Sequence, residues 1–230
     1  MRLSEPPGFA ILLRVESPLD QPREPAFNAP WPALAMAAVI IGGFGLQTFL
    51  PPEQILPTYG FSPQAMAQGR WITVFSALFL HGSWAHALLN GVAALAFGAP
   101  VARYYGVRPA GALAFLLFYL ACGALANLGY GWIHAGDPHL LVGASGAVAG
   151  LMAAAARMLA GKGVPGPFLS PQVVGMTAAW VVVNLLIAVV GFAPGAGDMP
   201  VAWEAHLFGY AAGLVLVTPF GWLSRRGVVD

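Results

Sequence analysis

Ser145 is flanked by glycines in the segment GASGAVAG. In the first turn of a helix, its hydroxyl would lie beside unpaired backbone N–H groups, at the positive end of the helix dipole. That environment suits a nucleophile whose attack creates an oxyanion. The alternative interpretation is packing, because glycine and serine are common where helices meet in a membrane.

His206 lies in the segment EAHLFGYAAG, followed by Gly209 and Gly213 at i+3 and i+7. These three residues share one helical face. Two glycines on that face would let another backbone approach closely. The alternative interpretation of His206 is a histidine that forms a hydrogen bond between helices, since polar groups at membrane depth need partners.

Gly146 and Gly150 form a similar small-residue step beside Ser145. The Ser145 helix and the His206 helix could therefore pack tightly, which would bring the hydroxyl within reach of the imidazole. A serine next to a histidine base is the usual activated nucleophile.

The segment HGSWAHALLN places His86 and Asn90 four residues apart, on one helical face. Both side chains can donate hydrogen bonds, so they fit an oxyanion hole. A metal site built from His81, His86 and His206 is the competing interpretation. The H-x4-H spacing lacks the i, i+4 register and the glutamate of H-E-x-x-H, and no carboxylate accompanies these histidines within a span.

Glu204 would lie about 200° around a helix from His206, so we expect an interfacial carboxylate rather than a third catalytic residue. Asp137 is expected in a solvated loop. The single cysteine, Cys122, is expected to pack in a span, and it excludes an internal disulfide.

The composition indicates where these residues are held. The chain has 230 residues, of which 58% are hydrophobic and 8% are charged. Soluble domains carry about 25% charged residues, so this composition argues against a soluble protein and against disorder. The net charge of +1 gives no basic surface for nucleic acid. We therefore predict an all-α membrane protein.

Six stretches without Asp, Glu, Lys or Arg can each hold one spanning helix of about 20 residues. The predicted spans are 31–50, 84–104, 109–130, 145–161, 172–193 and 203–221. A long connection rich in proline and glycine, which is not simple helix, runs from residue 51 to about residue 80. Residues 1–30 are predicted to be a flexible, proline-rich cytoplasmic tail, and residues 222–230 a short one.

Six spans sort the basic residues onto one side. Nine of the ten Lys and Arg residues then fall on the same side as both termini, and only Arg70 falls on the other. Because basic residues collect in cytoplasmic connections, both termini are predicted to be cytoplasmic. Spans two, four and six all run inwards, so the three polar segments should meet at one depth near the non-cytoplasmic side.

These segments resemble the motifs of the rhomboid family of intramembrane serine proteases. HGSWAHALLN is similar to the family's H-x4-H-x3-N, GASG to its G-x-S-G, and AHLFGYAAG to its A-H-x2-G-x3-G. They occur in the family's order, in spans two, four and six. The resemblance covers about residues 31–221 and implies a six-transmembrane-helix rhomboid-like bundle, here the protease core.

The resemblance implies a Ser–His dyad, with Ser145 as nucleophile and His206 as general base. His86, Asn90 and the Ser145 backbone N–H resemble the oxyanion hole. The implied supporting residues are a structural histidine and four glycines: His81, Gly143, Gly146, Gly209 and Gly213. The implied substrates are membrane-anchored proteins, cut at or near a transmembrane helix. No metal or organic cofactor is implied.

Two positions depart from the family pattern. The first loop has Arg70 before Trp71, which reverses the order that many members carry. Ala149 stands four residues after the serine, where many members carry an aromatic that packs on the catalytic histidine. Another group must then orient His206.

The predicted function is intramembrane proteolysis, with a bacterial plasma membrane as the expected location. The site should open to the non-cytoplasmic side, with the first loop and residues 194–202 as candidate gates. The rivals are a non-catalytic rhomboid-like protein that binds transmembrane helices, and a small transporter or channel. The sequence predicts contact with the lipid bilayer and leaves the oligomeric state open.

Overall fold

The computed structural model describes residues 28–191 and 201–226. The predicted tail over residues 1–30 lies outside these ranges except for its last three residues. The candidate gate at 194–202 is described only from residue 201. The predicted tail at 222–230 is described to residue 226.

The described part of the chain is helical and contains no strand beyond two isolated bridge pairs. Its α-helices are α1 Trp31–Gln47, α2 Pro52–Tyr59, α3 Pro63–Ala67, α4 Thr73–Ser76, α5 Trp84–Tyr105, α6 Pro109–Ile133, α7 Ser145–Ala160, α8 Pro171–Val190 and α9 Trp203–Arg226. The six long helices correspond to the six predicted spans, with ends shifted by up to five residues.

Within residues 28–191 and 201–226, four helices are long and apolar enough to cross a membrane, namely α5, α6, α8 and α9. Helices α1 and α7 are apolar but shorter, at 17 and 16 residues. Pro51 and Pro52 follow α1, and proline disfavours helical backbone in the residue before it. The connection that follows consists of short helices joined by turns. It is therefore not a simple helix, as predicted.

Contacts between helices give their relative directions. Gly150 meets Cys122, and Gly146 meets Ala126, so α7 runs antiparallel to α6. Gly209 meets Gly146, and one turn further along both helices Gly213 meets Gly150, so α9 runs parallel to α7. Tyr105, the last residue of α5, donates its hydroxyl to the carbonyl of Val217 in the second half of α9. His86, near the start of α5, faces Gly143 just before α7 begins, so α5 runs parallel to α7 and α9. Helices α5, α7 and α9 therefore begin at the same end of the bundle.

Helix α7 lies at the centre of the bundle. Twelve of its 16 residues are buried, and most of them are glycine or alanine. Small side chains let neighbouring helices pack against several faces of it, so a short helix can lie within the bundle with little contact with lipid. A buried arginine anchors its other end: Arg157 donates to the carbonyl oxygens of Gly166 and Leu214, at 2.9 Å each.

The crossing of α7 and α9 depends on two pairs of glycines. A Cβ added to Gly209 would collide with the backbone of Gly146. A Cβ added to Gly213 would lie 2.6 Å from Cα of Gly150. Backbone meets backbone at both levels, so neither contact leaves room for a side chain.

We expect Gly213→Ala to destabilise the protein by about 1–3 kcal/mol, because the new methyl group can be accommodated only if a helix moves. Thermal unfolding in detergent measures this change. Gly175→Ala is the matched control, because Gly175 lies within α8 with open space around its Cα. An equal stability for both variants would contradict the close contact of α7 and α9.

Candidate active site

The Ser145 hydroxyl and the His206 imidazole are in contact. Oγ of Ser145 lies 2.9 Å from Nε2 of His206. The two residues are 61 positions apart in the chain and come from the first turns of α7 and α9. The predicted close packing of these helices is what brings the two side chains together.

Ser145 is the first residue of α7, and no side chain caps this helix end. The N–H groups of the first turn of a helix have no partners within the helix. The loop before it is held in place, because the N–H of Gly143 donates to the carbonyl of Ala77 at 2.9 Å. The Ser145 hydroxyl therefore lies beside backbone donors that carry the positive end of the helix dipole.

His86 and Asn90 face the loop that precedes Ser145. A Cβ built on Gly143 would lie 2.7 Å from Nε2 of His86 and 3.7 Å from Nδ2 of Asn90. The buried Nδ2 of Asn90 has no hydrogen-bond partner among the described residues. A buried donor without a partner costs free energy. The Asn90 amide is therefore suited to donate to a negative oxygen that forms beside it during a reaction.

Gly143 has φ of +125°, a backbone conformation that side-chain-bearing residues rarely adopt. The absence of a side chain also leaves room for the imidazole of His86. Gly143 therefore allows the turn into α7 and leaves room for His86 near Ser145.

His81 supports this loop from the other side. Gln47 of α1 forms two hydrogen bonds with the backbone of His81. Its Oε1 accepts from the His81 N–H at 3.0 Å, and its Nε2 donates to the His81 carbonyl at 2.8 Å. The N–H of Ala144 donates to Nε2 of His81 through a long 3.5 Å hydrogen bond. His81 is fully buried and connects α1 to the residue before Ser145.

Two residues of α8 contact His206, and neither was predicted from the sequence. Oδ1 of Asn184 lies 2.9 Å from Nδ1 of His206. The indole of Trp180 packs on the imidazole, with ring centroids 5.8 Å apart. The available signal was an asparagine in an otherwise apolar run of α8, at residues 178–190.

Glu204 faces away from the Ser145–His206 pair, as its position on the helix predicts. Its Oε1 lies 3.0 Å from Nε2 of His134, at the end of α6. Asp137 accepts from the backbone N–H and the imidazole of His139, and these hydrogen bonds hold its pKa below the ordinary value. The His134–Glu204 contact joins the end of α6 to the beginning of α9, and the Asp137–His139 contacts lie within the loop after α6.

A cleft of about 240 Å³ lies at this end of the bundle. Its lining includes Leu141 and Glu204, which lie two positions before Gly143 and His206 in the chain. Arg70, within the first loop, donates to the carbonyl of Pro57 at 3.0 Å. Trp71 beside it is 60% exposed. Among the described residues, no group of three His, Cys, Asp or Glu side chains could hold a metal ion.

We expect Gly143→Ala to destabilise the protein more than Gly136→Ala does. Both glycines have positive φ, but only at Gly143 would the new methyl group meet a side chain, that of His86. The difference in the free energy of unfolding should be about 1–3 kcal/mol. Denaturant titration in detergent measures it, and equal losses would argue against the close contact of His86 with this loop.

A family model described as the Rhomboid domain matches residues 68–223, which is more than half of the chain. The matched segment contains all three motifs, from His81 to Gly213. No curated protein matches the chain. The four helices able to cross a membrane agree with this family's location in the bilayer. The chain therefore belongs to the rhomboid family and is an integral membrane protein.

Proposed function

We propose that this protein is an intramembrane serine endopeptidase that cleaves membrane-anchored proteins at or near a transmembrane helix. The observation that carries the proposal is the 2.9 Å contact between Oγ of Ser145 and Nε2 of His206. A serine within hydrogen-bond reach of a histidine base has the arrangement of an activated nucleophile.

In the proposed reaction, Ser145 attacks the carbonyl carbon of the scissile peptide bond while His206 takes the hydroxyl proton. The resulting imidazolium gives that proton to the leaving amine as the C–N bond breaks. Water then attacks the acyl-enzyme and His206 accepts a proton from it. The acyl C–O bond then breaks, the imidazolium returns its proton to Oγ of Ser145, and the carboxyl product leaves. Each acyl transfer passes through a tetrahedral oxyanion.

The oxyanion would be stabilised by His86, Asn90 and the backbone N–H of Ser145. The unpaired amide of Asn90 supports this role, because a donor that is already in place needs no reorganisation when negative charge develops. The proposed supporting residues are those that hold the loop and the helix crossing: His81, Gly143, Gly146, Gly209 and Gly213.

The proposed topology has six membrane-crossing helices, both termini in the cytoplasm and the site open to the other side. Arg103 and Arg157 lie near the ends of α5 and α7, away from Ser145, and this supports the proposed orientation because basic residues collect on the cytoplasmic side. The proposed organisation is a cytoplasmic tail over 1–30, a protease core over 31–221 and a short tail over 222–230. A bacterial plasma membrane is the proposed location.

We expect Ser145→Ala and His206→Ala to abolish cleavage of a single-span fusion protein reconstituted with the enzyme in liposomes. Asn90→Ala should retain measurable activity, reduced by about 10²–10³-fold, because other oxyanion donors remain. Ser224→Ala is the matched control, since this buried serine lies in the last turns of α9, beyond Gly221.

A fluorophosphonate probe separates catalysis from substrate choice, because it reports an activated serine without any peptide. Labelling lost in Ser145→Ala and His206→Ala, but kept in Ser224→Ala, would support the proposal. A folded native protein that neither reacts with the probe nor cleaves the fusion protein would favour the non-catalytic alternative, a protein that binds transmembrane helices.

A further inference from the structure

We propose that Asn184 is a positioning residue, which holds His206 in the tautomer and orientation that a general base needs. The inference rests on the proposed function and adds a third polar residue, from α8, to the Ser145–His206 pair. The proposal is carried by the hydrogen-bond geometry on both sides of the Asn184 amide.

Helix α8 has little contact with the bundle, and its surface is mostly exposed and apolar. Val173 and Asn184 are its only buried residues, and Asn184 is 0% exposed. Burying an amide costs free energy unless its polar atoms are hydrogen-bonded. Both polar atoms of Asn184 have partners: Nδ2 lies 2.8 Å from the carbonyl of Trp180, and Oδ1 lies 2.9 Å from Nδ1 of His206.

These partners define where the imidazole proton lies. The carbonyl oxygen of Trp180 can only accept, so the Asn184 atom beside it is the NH₂ donor. Oδ1 is then the atom beside His206, and an amide oxygen can only accept as well. Nδ1 of His206 must therefore carry the proton. The lone pair on Nε2 is then free to accept a hydrogen bond from the Ser145 hydroxyl.

Trp180 lies one turn before Asn184 on α8, and its ring packs against the imidazole of His206 at a tilt. Its indole packs on His206 and stacks with Tyr210, whose hydroxyl lies 3.1 Å from Oγ1 of Thr177. Ala149 is buried in the same cluster. Its small side chain leaves room there, so α8 contributes the aromatic contact that the chain lacks four residues after the serine.

The hydrogen bond from His206 to Asn184 can persist throughout the proposed catalytic cycle. When Nε2 takes the serine proton, Nδ1–H remains hydrogen-bonded to Oδ1 of Asn184, and the contact strengthens as the ring becomes positive. A neutral amide takes no proton itself. Asn184 thus keeps Nε2 directed at Oγ in the neutral and the protonated states of His206.

We expect Asn184→Leu to slow fluorophosphonate labelling of Ser145 by at least about tenfold, which is part of the 10²–10⁴-fold that a positioned general base contributes in full. Leucine has a similar volume but no acceptor. Asn184→Asp keeps an acceptor oxygen at the same position, so it should recover most of the native rate. Asn127→Leu is the matched control, because it removes another buried amide, one that donates to the carbonyl of Val74.

The ¹⁵N spectrum of the imidazole gives a readout that a purely structural role would not change. The His206 signals, identified by their loss in His206→Gln, should show a protonated Nδ1 and an unprotonated Nε2 in the native protein. Asn184→Asp and Asn127→Leu should keep this tautomer. Asn184→Leu should shift the population toward the Nε2–H form, which cannot act as a base.

Failures of the two proposals can be distinguished. A folded native protein that neither reacts with the probe nor cleaves the fusion protein would overturn the proposed function, whatever the tautomer of His206. Native labelling combined with an unchanged rate in Asn184→Leu would overturn only the role of Asn184. If Asn184→Leu does not fold, the native spectrum decides, because an Nε2–H tautomer or a failure of Asn184→Asp to restore labelling contradicts the inference.

Discussion

The contact between α7 and α9 is the constraint on which the site depends. Gly146 meets Gly209 and, one turn further, Gly150 meets Gly213, so two helix backbones approach each other without intervening side chains. Both helices begin at the same end of the bundle, and this approach brings their first turns together. A separation larger by one methyl group would move the imidazole away from the Ser145 hydroxyl and weaken a 2.9 Å contact.

An apolar bundle makes each polar side chain informative, because a buried polar group without a partner is costly. Gln47 forms hydrogen bonds with the backbone of His81, and Asn184 with His206. Arg157 has carbonyl partners at the opposite end of the bundle. The side-chain nitrogen of Asn90 is buried without a partner among the described residues, and so are Nδ1 of His81 and Nε1 of Trp180. What distinguishes Asn90 is its position, because Nδ2 faces Gly143 in the loop before Ser145, where a transient negative charge would form.

The sequence predicted the six long helices and the meeting of Ser145 with His206. Helix direction brings the three polar segments to one end, and the glycines beside Ser145 and His206 indicate that their helices pack closely. Sequence periodicity could not tell which neighbour a lone polar residue in an apolar helix would face. The contact of Asn184 with His206 was therefore not predicted, since most other residues on all sides of α8 are hydrophobic. The pairing of His134 with Glu204 was missed for a similar reason, because it depends on how α6 and α9 pack.

The most direct test of the account is to identify the residue that a fluorophosphonate modifies. The native protein, reconstituted in liposomes, would be treated with the probe, digested and analysed by tandem mass spectrometry. The account predicts one phosphonylated residue, Ser145, with no adduct on that peptide in His206→Gln. An adduct at another serine, or modification of Ser145 that does not depend on His206, would contradict the claim that this histidine activates this serine.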